Sequence, residues 1–210
     1  MSDTQARERI TVYSDYVCPF CYLGRRSLDR YQDEREAELE IDWRPFDLRA
    51  GKRGPDGDID HSVDDGKDEE YYDQARENVR RLREQYDAEM AQEIATDVDS
   101  RPAQVVSLQV KGSEPYGTWL AFDEAVFEAL WVDGRDIGDR AALVDCAEAG
   151  LDAGVVDAAR DDAALDSRID DLFDAARGQG ITGVPTFVFD GHAARGAVPP
   201  AQLRRLVEGN

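Results

Sequence analysis

The chain has 210 residues, 41% of them hydrophobic, and carries 46 Asp and Glu against 25 Lys and Arg, a formal net charge of −21. That length fits one enlarged domain, and the apolar fraction supplies a core, which argues against a disordered chain. The carboxylate surplus argues against a nucleic-acid partner, since phosphates would be repelled over the whole surface.

Ile10-Thr11-Val12-Tyr13-Ser14 reads as a strand, and Cys18-Pro19-Phe20-Cys21 follows it where a helix begins, running to about Arg35. Pro19 lacks an amide proton and has a fixed φ, so it suits the first helical turn and puts Cys18 at about the N-cap. Unpaired N–H groups and the positive end of the helix dipole favour the Cys18 thiolate there, which makes Cys18 the expected nucleophile. Cys21, one turn further on the same face, is the expected resolving thiol. Four-ligand zinc needs two more donors, and Cys146, His61 and His192 sit at no zinc-like spacing, so no metal is expected.

Leu39 to Phe46 alternates like a second strand, and the polar stretch from Arg49 to Lys67 reads as a mobile loop containing His61. Helical patterns cover about Asp68–Glu93, Arg101–Val110, Tyr116–Trp131, Asp139–Ala149, Asp152–Ala159 and Ala163–Arg177. Trp119, Phe122, Phe127 and Trp131 are spaced mainly for the core, with one or two available to line a groove. Cys146 falls in a helical pattern and reads as a small buried hydrophobe. Strands resume at Thr186–Asp190 and about Ala193–Arg195, with His192 in a turn between them, and Pro200–Val207 closes the chain as a helix. Gly183-Val184-Pro185-Thr186 places a proline at a strand start, a position where proline is tolerated.

The C-x-x-C after the first strand, the late Val184-Pro185-Thr186 and the long helical stretch between them resemble the DsbA branch of the thioredoxin superfamily. Within that branch, Asp15-Tyr16-Val17-Cys18-Pro19-Phe20-Cys21-Tyr22-Leu23-Gly24 and Gly196-Ala197-Val198-Pro199-Pro200 are most similar to FrnE-type proteins. The resemblance implies an α/β thioredoxin fold with a large all-helical insertion. Residues 9–64 and 179–209 would form the thioredoxin-like domain and residues 65–178 the inserted one. It also implies that Pro185 is cis and lies against the two sulfurs. The backbone of Val184 would then pair with an extended substrate, with Pro185 and Thr186 shaping the binding surface and the insertion acting as a lid.

Around the cysteines, Pro19 supports the helix start, and Phe20 either offers an apolar contact to substrate or packs on the lid. Tyr22 packs or hydrogen-bonds near the site. Asp15 caps the turn before the helix, with proton transfer as its sharper role. The favoured function is thiol–disulfide oxidoreductase or isomerase, cycling Cys18 and Cys21 between dithiol and disulfide through a mixed disulfide on Cys18. Its partners would be protein or small-molecule thiols and disulfides, with no cofactor beyond an external thiol reductant or oxidant. The alternatives are a glutathione-dependent transferase or 2-hydroxychromene-2-carboxylate isomerase-like enzyme, whose relatives usually present serine at the place of Cys18, and a redox-clipped chaperone or binding module.

Lysine occurs only at Lys52, Lys67 and Lys111, and the acidic residues are spread along the chain. This pattern suits a salt-saturated cytosol, because a Debye length of ~3 Å at 1 M makes self-repulsion tolerable. Met1 to Glu8 is polar, and no run of ~18 apolar residues occurs, so a cytoplasmic protein with no membrane partner is expected.

Overall fold

A computed structural model describes residues 8–55, 57–148 and 150–209. The polar start read from Met1 to Arg7, and Ala149 at the end of one expected helix, lie outside the described residues.

Strand β1 (Glu8–Ser14) lies inside a four-stranded sheet of order β2-β1-β3-β4, where β2 is Leu39–Pro45, β3 Thr186–Phe189 and β4 His192–Arg195. β1 runs parallel to β2, with Ile10 opposite Ile41 and Val12 opposite Trp43. It runs antiparallel to β3, with Val12 opposite Phe187 and Tyr13 opposite Thr186. The period-2 alternation of β1 therefore sends Ile10 and Val12 to one face and Tyr13 to the other. The first face joins a continuous buried cluster that reaches Leu23, Trp119, Trp131 and Leu203. The second face is covered by helix α7 (Ala163–Gly178), where Tyr13, Phe46, Ala176 and Ile181 form a smaller cluster.

The sheet and its flanking helices α1 (Pro19–Asp33) and α8 (Pro200–Glu208) surround a helical block inserted in sequence between β2 and β3. That block is α2 (Glu69–Gln85), α3 (Arg101–Ser113), α4 (Tyr116–Trp131), α5 (Arg140–Ala147), α6 (Gly154–Arg160) and α7. This is the thioredoxin fold with a helical insertion. The helix starts are chemically marked. Asp68 accepts from the Tyr71 N–H, and Asp162 accepts from Ala164 and Leu165. Pro19 and Pro200 open α1 and α8, and Gly209 closes α8 at φ 73°.

Some boundaries differ from expectation. α1 ends at Asp33 rather than Arg35, where the Glu34 N–H turns back to Tyr31 O and Gln32 O. α2 stops at Gln85, not Glu93, because Asp87 takes φ 45° and the chain leaves to bond elsewhere: Ala91 N–H to Trp131 O, and Tyr86 Oη to Ala197 O. Asp190 and Gly191, at φ 45° and 77°, make the two-residue turn, so β3 ends at Phe189 and His192 is the first, exposed residue of β4. The stretch from Arg49 to Lys67 carries a 3₁₀ turn at Ala50–Lys52 and is tied down by Arg53, whose guanidinium bonds both Asp47 and Asp99. No helix among the described residues is long and apolar enough to cross a membrane.

Candidate active site

The carboxyl end of β1 delivers Ser14 and Asp15 to a tight turn in which the Cys18 N–H donates to Asp15 O at 3.1 Å. Cys18 is the N-cap of α1, with an extended backbone (φ −92°, ψ 114°). Its carbonyl accepts from the Cys21 and Tyr22 N–H groups, which starts the helix. On the neighbouring strand Thr186 opens β3, so the residues before it come to rest beside α1. The Val184–Pro185 peptide bond is cis. Cys18 Sγ lies 3.5 Å from Val184 O.

Gly24 lets these two parts approach. A Cβ there would stand 3.0 Å from Pro185 Cγ and 3.2 Å from Phe187 Cζ, so only a hydrogen fits without displacement. Pro185 is itself buried. Thr186 is buried too, and its hydroxyl donates to Gly183 O at 2.8 Å, closing the turn. Thr186 therefore helps to hold the loop that carries Val184 and Pro185.

The two sulfurs look in different directions. Cys18 borders an open cavity of about 500 Å³, together with Pro19, Phe20, Arg49, Tyr71, Tyr72, Ile94, Thr182, Gly183 and Val184. Cys21 faces inward, among Val12, Ser14, Leu28, Phe127 and Phe187. Burial pushes the Cys21 thiol well above its ordinary range, and the adjoining Cys18 sulfur adds to this, while Ser14 and the Asp15 backbone partly offset it. Cys146 lines neither of these two cavities. It lies on α5 with Sγ 3.5 Å from Ala125 O, lines a separate small cavity, and is pushed by burial up to about 11.

Asp15 is 1% exposed, and burial raises its carboxyl from 3.8 to about 6 against the pull of hydrogen bonds from Ser100, Leu48 and Val17. The Leu48 N–H donates to Oδ2 at 2.8 Å and the Val17 N–H to Oδ1 at 3.3 Å, so Asp15 does cap the turn. The Gln104 amide also donates to Oδ1, at 3.2 Å. Tyr22 is buried, packs near Phe127 and donates to Glu89 O at 3.0 Å. Trp119, Phe122, Phe127 and Trp131 are all core residues, and none of them lines the Cys18 cavity. His61 and His192 are exposed and stand away from it.

Several cavity residues were not anticipated. β1 and β2 are parallel, and the Phe46 N–H pairs with Ser14 O at 3.0 Å, so the residues just after β2 emerge level with the cysteines. The signal that could have found Asp47, Leu48 and Arg49 is their place just beyond the carboxyl end of a strand parallel to β1. Tyr71 and Tyr72, from the start of α2, carried no such signal. Tyr71 is 49% exposed and is, with Val63, one of two large apolar side chains left exposed among the described residues.

The family description "DSBA-like thioredoxin domain" matches residues 9–208. An uncharacterized protein of Bacillus subtilis (strain 168), YwbO, is 28% identical over 196 residues, 90% of either chain. A probable DsbA oxidoreductase from Streptomyces coelicolor superposes with a TM-score of 0.73 at 25% identity, covering 96% of this chain and 90% of that one. A 2-hydroxychromene-2-carboxylate isomerase superposes with a TM-score of 0.70 at 19% identity, covering 90% and 89%. The last likeness is one of fold.

Proposed function

The chain belongs to the family of DSBA-like thioredoxin domains, and we propose that it exchanges thiols and disulfides by cycling Cys18 and Cys21, in the manner of a FrnE-like oxidoreductase of the cytoplasm. The observation that carries this reading is the division of labour between the sulfurs: Cys18 opens on the cavity opposite Val184 O, and Cys21 waits behind it.

In the reducing direction the Cys18 thiolate attacks one sulfur of a substrate disulfide. A Cys18–S bond forms as the substrate S–S bond breaks, and the departing thiolate takes a proton from water. Cys21 then loses its proton and attacks Cys18, so the Cys18–Cys21 bond forms and the second substrate thiol leaves. The two cysteines are oxidised by two electrons and the substrate is reduced by two. Two external thiols, or one dithiol, then reduce the Cys18–Cys21 bond and are themselves oxidised to a disulfide; in the oxidising direction every step runs backwards.

Val184 suits the substrate side of this exchange. It is half-buried in the cavity wall, and its N–H makes no hydrogen bond among the described residues. An extended chain laid beside Gly183 and Val184 would pair with that donor as an added strand does. Phe20 and Tyr71 add apolar surface to the same cavity.

An isomerase of the 2-hydroxychromene-2-carboxylate type shares the fold, but a resolving thiol buried behind the first has no part in conjugation or isomerisation. Insulin reduction and refolding of scrambled ribonuclease test the proposal. Both should be lost in Cys18→Ser, and Cys21→Ser should accumulate a mixed disulfide on Cys18. Activity surviving Cys18→Ser would overturn it.

A further inference from the structure

The wall of the Cys18 cavity carries more positive than negative charge, in a chain whose net charge is −21. Its cations are Arg49, Lys67 and Arg177, and its carboxylates are Asp47 and Asp65. Both carboxylates are already ion-paired. Asp47 accepts from Arg53 Nε at 2.7 Å, and Asp65 accepts from Lys67 Nζ at 2.9 Å with Lys52 Nζ 3.6 Å away. Arg177 is engaged by Asp174 on the same helix.

Arg49 differs from its neighbours. Among the described residues it enters no ion pair. Its Nη2 donates to the Ala95 carbonyl, and its buried Nε meets no acceptor. Its place is nonetheless fixed, because its backbone N–H donates to Asp47 Oδ1 at 3.0 Å and that of Leu48 donates to Asp15 Oδ2. The orphaned Nε is itself buried, so an incoming acceptor would meet Nη1, which makes no hydrogen bond among the described residues, and that pairing would offset the cost of holding a guanidinium in a cavity wall.

We propose that Arg49 is a specificity-determining residue that receives a carboxylate of the substrate, so that the cavity selects low-molecular-weight disulfides bearing negative charge over neutral or cationic ones. The inference rests on the thiol–disulfide reading of the site. A volume of about 500 Å³ is that of a small-molecule pocket. The planar fork of arginine matches a carboxylate better than lysine does. The distant acidic surface repels every anion, so the selection is local. Salt should sharpen it, because screening removes far charges before it weakens a partly buried pair. The exchange itself is the one already written: the substrate S–S bond breaks, Cys18–Cys21 closes, and two substrate thiols leave.

Three disulfides on one short skeleton test the proposal: dithiodipropionate as dianion, hydroxyethyl disulfide as neutral, and cystamine as dication. The full chain, pre-reduced and held in molar KCl, is mixed with each. Closure of Cys18–Cys21 is followed by acid quench and mass spectrometry, and each rate is normalised to that of free cysteine with the same probe. The wild-type protein should rank dianion above neutral above cation. Loss of a charge-assisted pair in Arg49→Gln should lower the dianion-to-neutral ratio about tenfold, and Arg49→Lys should retain part of it. A ratio unmoved in both variants, or a wild-type preference for cystamine, would overturn the role of Arg49. Failure of all three probes to oxidise the wild-type pair would instead bring down the thiol–disulfide reading, and this inference with it.

Discussion

Arg25 Nη1 donates to Asp123 Oδ2 across 2.6 Å, with the two side chains 9% and 1% exposed, and this contact ties the cysteine-bearing helix α1 to α4 of the insertion. Around it Tyr16 Oη donates to Asp123 Oδ1 at 2.8 Å, Trp119 Nε1 to Ser107 Oγ at 3.0 Å, and Trp131 Nε1 to Tyr16 O at 2.8 Å. Asp123→Ala removes the most buried partner of Arg25, leaving it Asp29 at 3.2 Å and Glu124 at 3.8 Å, and should cost about 2–3 kcal/mol. The double variant Arg25→Met with Asp123→Leu should recover most of that loss. Urea unfolding of the three proteins decides; a single variant as stable as the parent would contradict the clamp.

Gly24 gives a test whose sign is unusual. Glycine to alanine inside a helix ordinarily stabilises by about 0.5–1 kcal/mol, and Gly112 of α3, with open space around it, should behave so. At Gly24 the new methyl meets Pro185 and Phe187, and overpacking should make Gly24→Ala destabilising by about 1–3 kcal/mol. It should also slow disulfide exchange, because Pro185 moves relative to Cys18. Thermal melts and insulin reduction of the two variants, side by side, check both parts.

Asp15 makes stability depend on pH. Its carboxyl binds a proton more tightly when folded, at about 6, than at the ordinary 3.8. The stability it contributes is complete below 3.8 and is lost as pH rises through about 6, an amount on the order of 3 kcal/mol. Asp15→Asn keeps an acceptor for the Leu48 N–H and removes the buried charge. It should therefore be more stable than the parent at pH 7 to 8 and no more stable near pH 3.8. Denaturation across that range, at constant salt, would show the two curves converging as pH falls; parallel curves would refute the assignment.

Thiol accessibility orders the alkylation of the reduced chain. Cys18 alone lines the open cavity, while burial raises both Cys21 and Cys146. Iodoacetamide at neutral pH should label Cys18 at least about tenfold faster than either, since only thiolate reacts. Peptide mapping after a short pulse reads this directly, and equal labelling of all three would be the contrary result.

The acidic surface predicts salt-dependent folding. With a net charge of −21, self-repulsion acts fully in dilute buffer and is screened within ~3 Å at 1 M. The melting temperature should rise markedly from dilute to multimolar KCl. A melt insensitive to salt would remove the halophilic reading.

What the sequence made legible was local. Cys18 at a helix start with Pro19 behind it, β1 with its alternation, and the aspartates that open α2 and α7 all announce themselves within a few residues, because caps and periodicity are short-range physics. The end of α2 was misplaced because Asp87 adopts a left-handed conformation for the sake of contacts with Trp131 and Ala197, far along the chain. The Arg25–Asp123 pair spans 98 residues and the neighbourhood of Arg49 and Ala95 spans 46, so no pattern along the chain could pair them. Tyr71 was visible only as a helical residue, and its exposure beside Cys18 is a product of packing.

Cys18 and Val184 stand 166 positions apart, joined only when β3 docks on β1. On a ribosome working from the amino end, both thiols would therefore emerge long before the loop that faces them. A half-made chain would hold reactive sulfur with nothing to select its partners. The segment from Gly183 onward is thus what would set the two cysteines opposite a substrate-binding loop, and a nascent chain stalled before Gly183 should cross-link indiscriminately where the released one does not.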